Sequence, residues 1–378
     1  MLSSVKINTG TSWTFFGLFD GFNGWDNKDQ IGPQLISAVL DALANLVSAH
    51  EPPSAEHVEI GMTPLPDHPT SPDEPYTDAV NRTIKETFLA VDNEVVHQNL
   101  NIIFSSLSKA AAMRPLDLAL SGTSALLSFF DLDTRLLKIA LAGNSRAVLG
   151  RRAERKNGDQ RFSYYEVHVL TADQTPHNPS ELPGRSGSNE AGLTRAFGLA
   201  AYKWSREIQE RVHRDYLGDP PNVKIYPYLT AEPEITTIQV KPGDFLILGS
   251  AGLWNSLTSE EAVGLVGLWL DRGMYQPAEE HHLQQPATAT QHALMRTSAQ
   301  IIHPGDLPVS LGAKDETIMY RRWRAEKRFV CVDINAAGHL ARNALGGADG
   351  DLTDALLSVE SPRSKKLRFV KHHAQDEC

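Results

Sequence analysis

The sequence predicts an α+β fold, and three observations carry the prediction. Short apolar or β-branched runs, separated by Asp, Gly and Asn turns, fill the middle of the chain. Amphipathic helical patterns flank them on both sides. Strands and helices nowhere alternate in the regular way of a parallel, doubly wound sheet.

Taken in order, 13–19 is an aromatic run ended by Asp20 and Gly21, which reads as a buried strand entering a turn. After Gly32 and Pro33, the residues Leu35, Ile36, Val39, Leu40, Leu43, Leu46 and Val47 recur at helical spacing, so 33–48 is predicted helical with proline in its first turn. The Pro-rich, acidic stretch 50–76 is predicted to be a loop. From 76 to about 109, Val80, Ile84, Phe88, Val91 and Val95 mark one helix face. Runs at 123–130, 136–142, 147–149 and 164–170 predict an antiparallel meander, and 235–240 with 245–248 predict a further hairpin around Lys241-Pro-Gly-Asp244. Helix returns at 259–270, with Ser259 as N-cap and Glu260 and Glu261 in the first turn. The polar, His-, Gln- and Pro-rich stretch 273–330 has no clear period and reads as a surface insertion. Helices are predicted at 336–345 and 352–357, parted by Gly346 and Gly347.

The totals narrow the function classes. The chain has 378 residues and a formal charge of −10, which argues against general nucleic-acid binding. Two cysteines, Cys331 and Cys378, supply neither a disulfide framework nor a thiolate zinc cluster, and fit a reducing compartment. No run of about 18 uncharged apolar residues predicts a membrane span. The first residues resemble neither a signal peptide nor a transit segment, so the chain as written is expected in the cytoplasm. Paired histidines (His281 with His282, His372 with His373) point to opposite sides of an extended chain and read as solvated. The basic stretches 321–328 and 363–371 read as solvated charged faces.

Chemistry concentrates in a few segments: Phe16-Gly-Leu-Phe-Asp-Gly-Phe-Asn-Gly-Trp25, Ser121-Gly-Thr-Ser-Ala125, Ala142-Gly-Asn-Ser-Arg146, Leu170-Thr-Ala-Asp-Gln-Thr-Pro176 with Asn178-Pro-Ser-Glu181, Leu193-Thr-Arg-Ala-Phe-Gly198, and Pro242-Gly-Asp-Phe-Leu-Ile-Leu-Gly-Ser-Ala-Gly-Leu-Trp-Asn255. In this order they resemble the protein phosphatase 2C (metal-dependent, PPM-type) family of serine/threonine protein phosphatases. Residues 202–211 and Arg342-Asn-Ala-Leu-Gly-Gly347 resemble its fungal mitochondrial branch, related to pyruvate dehydrogenase phosphatase.

The resemblance implies a β-sandwich of two antiparallel sheets flanked by helices, lacking N-terminal strand(s), within a single domain at 13–371 that is followed by a tail at 372–378. It implies hydrolysis of phosphoproteins by a water activated on Mg²⁺ or Mn²⁺, hard ions that need several converging oxygen ligands. Asp20 would bridge the metals, and the Gly21 carbonyl would support one of them. Other family positions have changed here: Phe22 stands for a histidine, Asn144, Leu199, Ala251 and Asn255 for acids, and Phe369 where the branch continues into acids. The family's early arginine and acid have no match in the twelve residues before Trp13. Metal binding is therefore expected to be weak or absent. The expected role is a pseudophosphatase that binds a phosphoprotein or metabolic enzyme complex, with no nucleic acid or membrane as partner. A working phosphatase stays open as the alternative, with Asp20 acting beside acids such as Asp26, Asp29, Asp173 or Glu190. So does a mitochondrial matrix location, by resemblance, if a segment precedes Met1.

Overall fold

The computed structural model describes residues 2–3, 13–22, 26–50, 76–157, 160–181, 192–218, 229–273, 300–312 and 314–358. The chain divides into two compact units, one of Met1–Ser145 with Thr171–Val240 and one of Arg146–Leu170 with Lys241–Cys378. Each carries one antiparallel sheet with helices against it, so the α+β class holds.

The first unit is built on a long strand, β2 (Trp13–Phe22), paired over its whole length with β3 (Gly122–Asp131). Asp20 and Gly21 lie inside this strand, opposite Ser124 and Thr123, and not in the expected turn. The pairing of ten residues outweighs the turn preference of a lone Asp-Gly. On the other edge of β2 a short strand, β1 (Leu2–Ser3), pairs with Phe16 and Phe15. Beyond β3 follow β4 (Leu136–Ala142) and β8 (Glu234–Gln239), while β7 (Phe197–Gly198) pairs with the start of β3.

Two helices cover one face of this sheet. Helix α1 (Asp26–His50) begins seven residues before the predicted start, so Pro33 lies inside it. Burial of Ile31 beside Leu35, Val39 and Leu43 (all 0% exposed) offsets the backbone hydrogen bond that Pro33 cannot make. Over Gln30–Ala49 this helix is long and apolar enough to cross a membrane, with mean hydropathy 1.3, yet those apolar side chains belong to the core. Helix α2 (Tyr76–Asn93) adds Val80, Ile84, Phe88 and Val91 to the same cluster. It continues through a π-helical turn (Glu94–Gln98) into α3 (Asn99–Ser105), close to the predicted extent. A further helix, α4 (Lys109–Leu120), went unpredicted; with α3, a short helix α5 (Ala200–Lys203) and α6 (Arg206–Val212) it closes a second apolar cluster around Trp204.

The second unit holds a three-stranded sheet of β5 (Arg146–Asn157), β6 (Gln160–Val169) and β9 (Phe245–Gly249), in the order β6-β5-β9. This corrects two sequence expectations. The four central runs form two separate hairpins, β3–β4 and β5–β6, and β4 pairs with β8 and not with β5. Strands β8 and β9 likewise belong to different sheets despite the turn-like Lys241-Pro-Gly-Asp244 between them. There Asp244 accepts from its own Lys241 amide (2.8 Å) and binds Arg151 of β5 (2.6 Å), so the turn residues fix β9 to β5.

Helix α7 (Ala251–Trp254) leads from β9 to α8 (Ser259–Asp271), whose N-cap is Thr258, one residue before the predicted Ser259. Thr258 Oγ1 accepts from the Glu261 amide (3.1 Å) and Glu261 accepts from the Thr258 amide (2.8 Å), a reciprocal cap that Ser259 would not complete. The stretch read as a polar insertion is, in its described part from residue 300 onward, built into this unit. Ile302 bridges Phe329, Val309 bridges Tyr165, and Leu307, Phe329 and Tyr320 are buried. Helix α9 (Met319–Trp323) lies in it, followed by α10 (Ala336–Ala344) and α11 (Gly350–Leu357), near their predicted bounds. Lys327, read as solvated, is instead buried between Glu261 (2.7 Å) and Asp315 (2.8 Å).

Candidate functional site

In the first unit the sheet register gathers most of the singled-out residues. Asp20 stands opposite Ser124, and Ser124 Oγ lies 3.1 Å from Ser145 Oγ and accepts from the Ser145 amide (3.3 Å). The turn carrying Asn144 is thereby tied to the strand that faces Asp20. Gly143, at φ +137°, starts this turn; a Cβ there would come within 2.9 Å of the Ser124 Cα, so the position needs glycine. Gln174, fully buried, locks the turn from the next segment. Its side chain accepts from the Gly143 amide (2.7 Å) and donates to the Leu141 carbonyl (3.1 Å). Asp20 and Asn144 are both half-buried.

Phe22 pairs with Gly122, which pairs on its other side with Gly198 of β7. The Phe22 ring lies over Gly122, where a Cβ would meet its Cδ2 at 2.8 Å. Leu199 follows Gly198 at φ +51° with only 1% of its surface exposed. Phe22 and Leu199, distant in sequence, meet in one apolar cluster with Leu193, Ala196, Leu229 and Tyr202.

The loop through Leu199 is held by groups that sequence reasoning missed. The Leu199 amide donates to the Ser121 carbonyl (2.9 Å) and the Gly198 amide to Asp92 (2.8 Å). Lys203 Nζ donates to both Asp92 carboxylate oxygens (2.8 and 2.7 Å) and to the Ala196 carbonyl (2.8 Å). Burial pushes the Lys203 ammonium pKa down from the usual lysine range, and the facing Asp92 opposes that shift. Asp92 sits on α2 among apolar neighbours, and no local pattern distinguishes it from a surface acid.

Glu181, which the resemblance included, meets the segment beginning at Leu193. It accepts from Thr194 Oγ1 and Arg195 Nε, each at 2.8 Å, while Arg195 also donates to the Glu232 carbonyl (2.8 Å). Asp173 contributes its carbonyl to a tight turn, accepting from Asn178 Nδ2 (3.2 Å). The backbones of Asp26 and Asp29 are in α1; their side chains, and Glu190 and Phe369, lie outside the described residues.

In the second unit Ala251 opens α7 after Ser250, and Asn255 ends it. The Trp254 indole donates to the Gly249 carbonyl (2.8 Å), and the Arg146 guanidinium lies 5.2 Å from that ring while donating to Ser259 Oγ (3.2 Å). The Asn255 carbonyl accepts from the Ile318 and Met319 amides (both 3.0 Å), so this residue anchors α9 through its backbone.

The side chains at these positions suit a hard divalent ion poorly, each within its own unit. In the first unit Leu199 is buried in an apolar cluster and Asn144 offers an uncharged oxygen; in the second Ala251 offers no side-chain ligand. Among the described residues no three His, Cys, Asp or Glu side chains are grouped to hold a metal.

A family model described as protein phosphatase 2C matches residues 66–291. A protein phosphatase 2C homolog of Schizosaccharomyces pombe is 32% identical over 376 residues, covering 94% of this chain and 71% of that protein. The mitochondrial [pyruvate dehydrogenase [acetyl-transferring]]-phosphatase 1 of Saccharomyces cerevisiae is 26% identical, over 94% of this chain and 60% of that protein. The human protein of the same name is 33% identical, over 63% of this chain and 43% of its own length. A crystal structure of a serine-threonine phosphatase 2C from Toxoplasma gondii aligns with a TM-score of 0.41 and 18% identity, over 70% of this chain and 76% of that one. On the family match and the fission-yeast relative together, the chain belongs to the protein phosphatase 2C family.

Proposed function

We propose that the chain is a catalytically impaired phosphatase 2C-like protein, a pseudophosphatase that binds a phosphoprotein or metabolic enzyme complex without turning it over efficiently. The observation that carries this reading is the joint fate of Phe22 and Leu199. The resemblance puts a histidine and an aspartate at these positions, and here a phenylalanine and a leucine belong to one apolar cluster. Asn144, Ala251 and Asn255 remove three more carboxylates, and the charge they would bring is what offsets the lost hydration of Mg²⁺ or Mn²⁺. The family generally uses these ions; for this chain the reading is weak or absent binding. No catalytic step is assigned.

The relatives named as mitochondrial pyruvate dehydrogenase phosphatases support a phosphorylated metabolic enzyme complex as the partner and the mitochondrial matrix as the place. We propose further that residues 13–371 constitute one family domain. Retention of Asp20 and Gly21 on a fully paired strand favours the second reading, an active phosphatase with a rearranged site.

Calorimetric titration with Mn²⁺ and turnover of a phosphothreonine peptide on the same sample separate the two. The pseudophosphatase reading expects no tight binding of a second ion and no turnover. Tight binding of more than one ion, with turnover abolished by Asp20→Ala, would sink it.

A further inference from the structure

We infer that Phe22 and Leu199 form a hydrophobic plug: one coupled packing unit that has replaced the polar site and now stabilises the first unit without metal. The inference rests on the reading that the metal-binding acids are lost, but goes beyond it. Loss of acids alone would leave two unrelated side chains, whereas this cluster makes them partners.

Three observations carry it. First, Leu199 occupies the left-handed region at φ +51° while almost fully buried. Leucine rarely adopts that conformation, whereas Asp, Asn and Gly tolerate it, so the backbone suits the acid the resemblance expects and not the residue present. Contacts made by the leucine side chain can offset the cost of that conformation. Second, those contacts exist: Leu193, Ala196 and Leu229 surround Leu199, and Phe22 and Tyr202 pack against the same group. Third, the Phe22 ring lies over Gly122, the residue that joins β2 to β7 and hence to Leu199. A phenylalanine and a leucine 177 positions apart therefore belong to one cluster that spans three strands.

Around the plug the backbone is fixed from outside. Asp92 receives the Gly198 amide and the Lys203 ammonium, and Ser121 receives the Leu199 amide. The loop thus keeps its shape whatever residue stands at 199, which makes the side chain's own contribution separable. A carboxylate returned to this position would enter an apolar cluster and lose its hydration.

Leu199→Gly in the full chain is the deciding variant, because the two accounts give it opposite signs. If leucine is merely tolerated at a glycine-compatible φ, the change relieves strain and raises the melting temperature. If the plug is real, lost packing dominates and Tm falls by roughly 3–10 °C. A rise overturns the inference. Coupling is read by repeating Leu199→Gly in a Phe22→Ala background, where the Tm shift is expected to shrink by about half or more; fully additive shifts overturn the pairing. Leu199→Asp should lower Tm with no recovery in millimolar Mn²⁺, and recovery on adding the ion overturns metal independence. Should that variant fail to fold, the first two measurements still decide. Turnover by the unmodified chain tests the pseudophosphatase reading alone, so the failure of one proposal is distinguishable from the failure of the other.

Discussion

At the level of single residues, the buried pair of Lys203 and Asp92 shows how the loop through Leu199 is held by groups outside the motifs that mark the site. The two side chains are 8% and 11% exposed, and between them they receive or donate hydrogen bonds to the Gly198 amide and the Ala196 carbonyl. Removing one partner leaves the other charge desolvated and unpaired. Lys203→Met is expected to cost about 3–5 kcal/mol in urea unfolding, and the double variant Asp92→Asn with Lys203→Met much less than the sum of the two single changes. A double variant whose cost equals the sum of the two single costs would show that the two charges do not act as a pair. The pair was invisible in the sequence for a physical reason. Its members are 111 positions apart, and an acid on an amphipathic helix looks the same whether its partner is water or a distant lysine. Asn144 and Glu181, by contrast, lie in turn segments that their motifs delimit, whereas Asp20 reads as a turn residue and lies inside β2.

Elements were legible where the pattern was local and illegible where the chain had to choose a partner. The β-branched runs of β3 and β4 and the start of α2 were placed to within a residue or so, whereas the apolar spacing of α1 located the helix but missed its first seven residues. Two adjacent strands with a turn between them look like a hairpin whether they pair with each other or with strands elsewhere, so the separation of β4 from β5 and of β8 from β9 was not readable. The N-cap of α8 was misplaced because Ser259 is by type the better cap than Thr258; the reciprocal bond to Glu261 selects Thr258. Thr258→Ala is therefore expected to destabilise by about 1 kcal/mol in chemical unfolding, an expectation that fails if the variant matches the parent chain.

Helices α8 and α10 are joined by a buried histidine, which makes their contact pH-dependent. His339 is fully buried, with Nε2 3.2 Å from the Leu265 carbonyl and Nδ1 3.2 Å from Asn343 Nδ2. These partners assign the neutral ring with its proton on Nε2, since Asn343 Nδ2 can only donate. Burial holds the His339 pKa below its ordinary 6.5, with Asp333 opposing and Arg272 and Arg342 reinforcing the shift. The unfolded chain then binds the proton more readily than the folded one. The contribution to stability is complete above about pH 6.5 and is lost as pH falls from there towards the folded pKa. Urea midpoints measured through this window should fall with acidity, and His339→Gln should flatten the decline. An unchanged slope in that variant would assign the acid sensitivity to other groups.

At the scale of the whole molecule, the two sheets are interleaved along the chain. The polypeptide leaves the first unit after Ser145, returns at Thr171, and leaves again after Val240, so neither unit is a continuous segment. A fragment ending at Val240 would contain every strand of the first sheet but only β5 and β6 of the second. That hairpin would lose β9, the Asp244 partner of Arg151, and the apolar cover that α8 gives to Val148 and Tyr165. A two-stranded ribbon is marginal alone in water, and its newly open edge can pair with other chains. Hydrogen exchange on the 1–240 fragment is therefore expected to show retained protection in β2, β3, β4 and β8, rapid exchange across 146–170, and self-association at raised concentration. Protection of 146–170 equal to that in the full chain would mean that the hairpin needs neither β9 nor α8. Loss of protection throughout 1–240 would instead mean that the first unit depends on residues beyond Val240, and its sheet could not then be treated as a separately stable element.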